Sequence, residues 1–173
     1  MTSSNIPNFV TPFKRIVLHF PDNQAYGLRS IDDSFPVTPE LQQELIAICN
    51  EPLIYNRLFR ARLQGQPYGL ENSTYFTSWA QEGWRKNSWF VFLVLDPLGH
   101  AVAAVDIKSN NIDEAEIGYW ASTQSRGIMT NTVITLCESA RTAGYRRLYA
   151  LVAPDNAQSS SVVRRAGFTS AGK

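Results

Sequence analysis

Metal-ligand spacing is missing from this 173-residue chain. It has two cysteines, Cys49 and Cys137, and two histidines, His19 and His100, and neither histidine has a ligand neighbour in sequence. No zinc or other metal site is therefore expected. Both cysteines fall on apolar faces of predicted helices, where free thiols act as small hydrophobes. No apolar run approaches the ~20 residues needed to cross a bilayer. Met1–Pro7 shows neither a charged leader nor an apolar signal core, so a cytoplasmic protein with no membrane partner is expected. Net charge is only +1, too little for a global field that recruits nucleic acid. The nucleotide signatures G-x-x-x-x-G-K-S/T and G-x-G-x-x-G are absent too.

What is present reads as one folded domain over residues 1–173, with residues 1–24 as an N-terminal extension carrying an extra strand. Hydrophobic residues make up 44% and charged residues 18%, which excludes disorder. Ile16–Phe20 and Tyr26–Ile31 read as strands around a Pro21-Asp22-Asn23 turn. Thr38-Pro39-Glu40 presents a cap, an N1 proline and an early acid, and Leu41, Leu45, Ile48 and Cys49 give that helix one apolar face. Pro52 breaks it, and Leu53–Arg60 adds a turn or two. Gln64–Gly69 reads as a loop before a helix over Thr74–Lys86. Trp89–Leu95 is nearly all apolar, which predicts burial on both faces. It turns through Asp96-Pro97-Leu98-Gly99 into Ala101–Ile107, and Glu114–Trp120 completes a meander. Ile128–Gly144 is a helix with Met129, Val133, Leu136, Cys137 and Ala140 on one stripe and a C-cap glycine. Leu148–Val152 reads as a short buried strand stopped by Pro154, and Asn156–Ala166 as a helix. The layout is a mixed sheet with helices on both faces, an α/β (α+β) domain.

The chemistry concentrates in Glu116–Phe168. The turn Gln124-Ser125-Arg126-Gly127-Ile128-Met129 joins the Glu116–Trp120 strand to a helix N-terminus, where unpaired amides and the helix dipole together favour an anion. Gln124-x-x-Gly127-x-Met129 resembles the acetyl-CoA pyrophosphate loop of the GNAT N-acetyltransferases. Glu116-Ile117-Gly118-Tyr119-Trp120, Gly127-Ile128-Met129-Thr130, and Asn156-x-x-Ser159 running to Ala166-Gly167-Phe168 resemble the RimJ/RimL branch, the ribosomal-protein N-terminal acetyltransferases. The resemblance covers residues 25–168, more closely after Glu116.

That resemblance implies acetyl-CoA as cosubstrate and a primary amine as acceptor, either a protein N-terminal α-amine or a small-molecule amine. A catalytically impaired CoA-binding or interaction module of the same fold is the alternative. The implied sheet is mixed and mostly antiparallel. Amides of Ser125, Arg126, Gly127, Ile128 and Met129, beside Gln124, would bind the pyrophosphate. The Arg126 side chain is either a phosphate contact or a solvated arginine. Tyr119 and Trp120 lie on the strand that splays to receive pantetheine, and Asn156 would hold the pantetheine arm while also capping its helix. The tyrosine acid of many relatives falls at Val163. Ser159 is the expected substitute, with Ser160 and Ser161 adjacent. Glu116 is the candidate base or water-positioner, with a strand-edge salt bridge as its other reading and Glu114 in reserve. The aromatics Tyr68, Tyr75, Phe76, Trp79 and Trp84 fall where relatives wall the acceptor groove. Most of them are expected to pack a core, with Tyr68 and Tyr75 presenting hydroxyls.

The link from Trp120 to Gln124 is about two residues shorter than the usual pattern of the resemblance, and Ala103-Ala104 replaces a common glycine. The sheet is expected to lack the last strand, which in such folds lies beside Leu148–Val152. A shortened chain, replacement by Ile16–Phe20, or a strand supplied by a partner subunit in a homodimer would each account for that.

Overall fold

The protein, described over residues 5–171 by a computed structural model, is built on one six-stranded sheet. Its strands are β1 (Lys14–His19), β2 (Gln24–Ser30), β3 (Phe90–Leu95), β4 (Ala101–Ile107), β5 (Ala115–Ala121) and β6 (Leu148–Ala150), and they lie side by side in chain order. The first five pair antiparallel, while β6 runs parallel to β5. The parallel step needs a crossover, and α4 (Ile128–Ala143) supplies it. The other helices are α1 (Pro39–Cys49), α2 (Pro52–Ile54, continued by one π turn over Tyr55–Phe59), α3 (Leu70–Arg85) and α5 (Ala157–Arg165).

Burial explains the two-faced reading of β3. Phe90, Phe92 and Val94 point into a core shared with Val105, Ile117, Ile128, Val133 and Leu136, on the α4 side. Val91 and Leu93 point the other way, into a core with Leu41, Leu45, Ala80 and Ala104 under α1 and α3. A smaller cluster of Ile48, Cys49, Ile54, Phe59 and Tyr68 closes the α1–α3 side. Gly83 is needed where α3 meets the sheet, because a Cβ there would lie 2.3 Å from the Trp89 ring. The other end of the architecture is less anchored: α5 has no buried residue, and only Val162, Ala166 and the following Phe168 pack partly against the α4-side core.

Several boundaries differ from the sequence reading. The α3 helix starts at Leu70 rather than Thr74, because the Asn72 side chain accepts the Gly69 amide at 2.8 Å and caps an earlier turn. Only Leu148–Ala150 of the expected Leu148–Val152 strand forms β6, since pairing ends at Ile117 with Ala150. Cys49 is buried as expected, whereas Cys137 is only half-buried. Among the described residues no strand pairs with the outer edge of β6. No helix there is long and apolar enough to cross a membrane.

Candidate active site

The β5 strand runs four residues past its last partner in β6, from Gly118 to Ala121. Beyond Ala150 the two chains part, and the edge of β5 facing β6 is left without a strand. The loop that follows begins with Ser122, whose hydroxyl accepts the Gln124 amide at 3.2 Å, and whose carbonyl accepts the Ser125 amide at 3.0 Å. Glu51 holds this corner from across the molecule. Its carboxylate accepts the Thr123 amide at 2.8 Å, the Thr123 hydroxyl at 2.7 Å and the Ser122 hydroxyl at 2.8 Å.

This bears on one of the predicted phosphate donors, Ser125, and on Gln124 beside it. The amides of Gln124 and Ser125 are already spent inside the turn. The remaining candidates are Arg126, Gly127, Ile128 and Met129. Arg126 (φ −56°, ψ 137°) and Gly127 (φ 95°, ψ −8°) form the centre of a type II turn, whose second position needs positive φ. Ile128 and Met129 open α4, where position alone leaves their amides without an intrahelical acceptor. The Arg126 side chain is exposed and enters no ion pair among the described residues.

On the α4 side of the parting, Tyr119 and Ser159 meet. The phenol oxygen lies 2.6 Å from Ser159 Oγ and donates to the Ser159 carbonyl at 3.2 Å. Asn156 caps α5 by accepting the Ser159 amide at 3.1 Å, which fixes that serine over the parting strands. Burial pushes the Tyr119 phenol up, opposed by its bond to Ser159, so it stays a protonated donor. Val163 lines the cleft beneath α5.

On the opposite face lies a groove of about 390 Å³, walled by Phe59, Tyr68, Phe76, Trp79 and Trp120 and bordered by Gly118 and Tyr119. Trp120 thus faces this groove, its ring 6.4 Å from that of Phe76. Tyr68 is buried, and Tyr75 at the rim is 67% exposed. Trp84 is not part of the wall; it packs against Phe90 and Phe92 in the core.

One carboxylate enters the groove, and it is Asp106 of β4. It accepts the Gly118 amide at 3.0 Å and pairs with Lys108 at 3.4 Å. Burial raises its pKa above the usual carboxylate range, against the pull of Lys108 and the Gly118 amide, and the charge of Glu116 adds to the rise. Glu116, the expected base, shares this face of the sheet by alternation but does not line the groove. Glu114 pairs with Arg147 at 3.2 Å on the far cleft. Asp106 had one sequence signal, as the lone acid in Ala101–Ile107. Glu51 had none, since its partners lie more than seventy residues away.

The arrangement offers an anion-binding turn, an unpaired strand edge, a hydroxyl pair and a carboxylate in an aromatic groove, all around one gap in the sheet. Among the described residues no group of three or more His, Cys, Asp or Glu could hold a metal.

The sequence pattern described as the acetyltransferase (GNAT) domain matches residues 36–169. No curated protein matches the chain in sequence. Among solved structures, Mycobacterium smegmatis RimJ in complex with CoA-disulfide superposes with TM-score 0.68 at 20% identity, over 94% of this chain and 78% of its own. The ribosomal-protein-S5-alanine acetyltransferase of Vibrio fischeri gives 0.61 at 20%, over 92% and 85%. The spermidine N-acetyltransferase of Vibrio cholerae, in complex with CoA and spermine, gives 0.65 at 16%, over 85% and 82%. At these identities the likeness is one of fold.

Proposed function

From the premise that the chain belongs to the acetyltransferase (GNAT) domain family, we propose that it transfers an acetyl group from acetyl-CoA to a primary amine by direct attack in a ternary complex. The observation that carries this reading is the Tyr119–Ser159 hydroxyl pair, 2.6 Å apart where β5 and β6 part, with the Asp106 groove on the other side of the same strand.

Acetyl-CoA supplies an activated acyl carbon; the chain supplies position and proton handling. The amides of Arg126, Gly127, Ile128 and Met129 bind the pyrophosphate. The free edge of Gly118–Ala121 takes the pantetheine amides in place of a strand, with Asn156 beside the arm. A primary amine arrives as an ammonium and must lose a proton before it can attack. Asp106, whose carboxylate is made more basic than an ordinary one by burial, takes that proton. The amine nitrogen forms the amide bond as the carbon–sulfur bond breaks, and its second proton passes through the Tyr119–Ser159 hydroxyls to the thiolate. Holding both reactants across one gap supplies much of the rate through lost translational freedom. The aromatic walls fit an amine on an apolar or aromatic body, such as a protein N-terminus or a small-molecule amine.

Calorimetry with acetyl-CoA and thiol release across a panel of amines and N-terminal peptides test the proposal. Binding followed by turnover on at least one acceptor is expected. Folded protein that does not bind acetyl-CoA overturns it. Binding without turnover on any acceptor instead supports the alternative, a CoA-binding module.

A further inference from the structure

His19 closes β1 next to the hairpin turn, only 8% exposed, with both ring nitrogens engaged. Nδ1 lies 2.9 Å from Asp22 Oδ1, and Nε2 lies 2.9 Å from the carbonyl oxygen of Arg126. Tyr26 of β2 covers the ring at 4.8 Å. The hairpin also touches the loop directly, since a Cβ on Gly127 would lie 3.0 Å from Pro21 Cδ. Asn131 of α4 ties the same region by donating to the Leu18 carbonyl at 2.8 Å.

Both partners of the His19 ring are acceptors. A carbonyl oxygen has no proton to give, and an ionised carboxylate has none either. Asp22 is held ionised, above all by the Gln24 amide that donates to it at 3.0 Å, and the His19 ring assists. Two acceptors require two N–H donors, and only the imidazolium has them. The Arg126 carbonyl belongs to the central peptide of the type II turn. In a trans peptide that carbonyl and the next N–H point in opposite directions. Holding the carbonyl toward the hairpin therefore aims the Gly127 amide away from it. Released, the same peptide can rotate toward the type I alternative, which reverses that amide.

We infer that His19 is a positioning residue for the cofactor loop: as an imidazolium donating from both nitrogens, it pins the Arg126 carbonyl and orients the Gly127 amide for phosphate. When the ring loses a proton, the charged Asp22 keeps Nδ1–H as the stronger acceptor. The proton lost is that of Nε2, whose lone pair then opposes the Arg126 carbonyl. The titratable and charged groups around the ring are Asp22 in the turn, Tyr26 on β2 with Asp96 beyond it, and the exposed Arg126 in the loop; α4 contributes only the neutral Asn131.

This inference rests on the loop taking the CoA pyrophosphate, and its test has one arm that does not. Calorimetric affinity for CoA is measured between about pH 5.5 and about pH 8.5 for wild type, His19→Gln and His19→Phe. The phosphates of CoA titrate in this window equally for every variant, so differences between variants carry the result. Wild type is expected to lose about tenfold in affinity relative to His19→Gln as pH rises, because glutamine keeps one N–H at all pH. His19→Phe is expected to be about tenfold weaker than wild type at the acidic end and equal to it at the alkaline end. Matching profiles for wild type and His19→Gln, or wild-type affinity of His19→Phe at the acidic end, overturn the assignment. The ligand-free arm reads the His19 ring by ¹⁵N NMR in wild-type protein, expecting both nitrogens protonated at the acidic end and Nε2 deprotonating first. Loss of the Nδ1 proton first refutes the clamp. A failure of every protein to bind CoA sinks the cofactor reading, while the NMR still decides the clamp.

Discussion

Asp106→Asn should lower turnover and leave the fold no less stable, because the carboxylate proposed as the base is also one whose burial burdens the native state. Asparagine is nearly isosteric, and its Oδ1 can still accept the Gly118 amide now held at 3.0 Å. What it cannot do is take a proton from an ammonium. Loss of a general base costs about 10²–10⁴ in kcat, or about 2.7–5.5 kcal/mol of barrier. The stability effect has the opposite sign. Burial raises the carboxyl above its usual range, so the native state holds this proton more tightly than the unfolded chain. Stability therefore falls as pH rises from the ordinary carboxyl range through the raised one, and above both the full cost is present. Near neutral pH the wild type carries that cost and the variant does not. Lys108 loses a partner at 3.4 Å, but its side chain is 44% exposed, so water replaces the contact. Thiol-release kinetics and urea unfolding at about pH 7 and about pH 4 read the two effects separately. The variant should be slow yet at least as stable as wild type at neutral pH, with that advantage shrinking in acid. A kcat within threefold of wild type, or a loss of more than about 1 kcal/mol at neutral pH, would refute the reasoning.

Tyr119→Phe and Ser159→Ala should each lower kcat roughly tenfold, and the double variant should be little worse than the slower single, because the pair is one hydrogen-bonded unit; additive losses would separate the two hydroxyls. Leu136→Ala empties a fully buried site between α4 and the sheet and should cost about 2–5 kcal/mol in urea unfolding. Gly83→Ala must displace Trp89 or the backbone and should cost about 1–3 kcal/mol or more, read as a lowered Tm. Burial pushes the Cys49 thiol up to about 12, so iodoacetamide at about pH 8 should leave it unmodified until the protein is unfolded; rapid native-state alkylation would contradict its burial.

Legibility in the sequence followed the range of the interaction. The β5–loop–α4 segment was readable because its signals are local: a glycine at a position requiring positive φ, then apolar residues at helical spacing over Ile128–Ala140. Asn156 was readable as a cap for the same reason. The Ser125 amide reads as free for phosphate because its bond to Ser122 belongs to a 3-10 turn that the sequence does not announce. Glu116 was named as a base and Asp106 was not, because how far the groove reaches along one sheet face is set by the fold. The β4–β5 register puts Asp106 opposite Gly118 at the groove, and Glu116 lies farther along the same face, outside it. Glu51 and His19 reach the loop across 72 and 107 positions, so only the folded chain brings them to it.

The helix that carries Ser159 has no buried residue of its own. Its docking rests on Val162 and Ala166, the neighbouring Phe168, and the hydrogen bonds to Tyr119. Such a segment can open without the rest of the molecule, at a free energy well below that of global unfolding. The proposed thiolate-protonating device is then a conditional part, present only in the fraction of molecules whose nine-residue α5 is closed. On heating, turnover should decline before the sheet melts, and cofactor lying across β5 and α5 should raise both the closed fraction and the temperature at which activity fades.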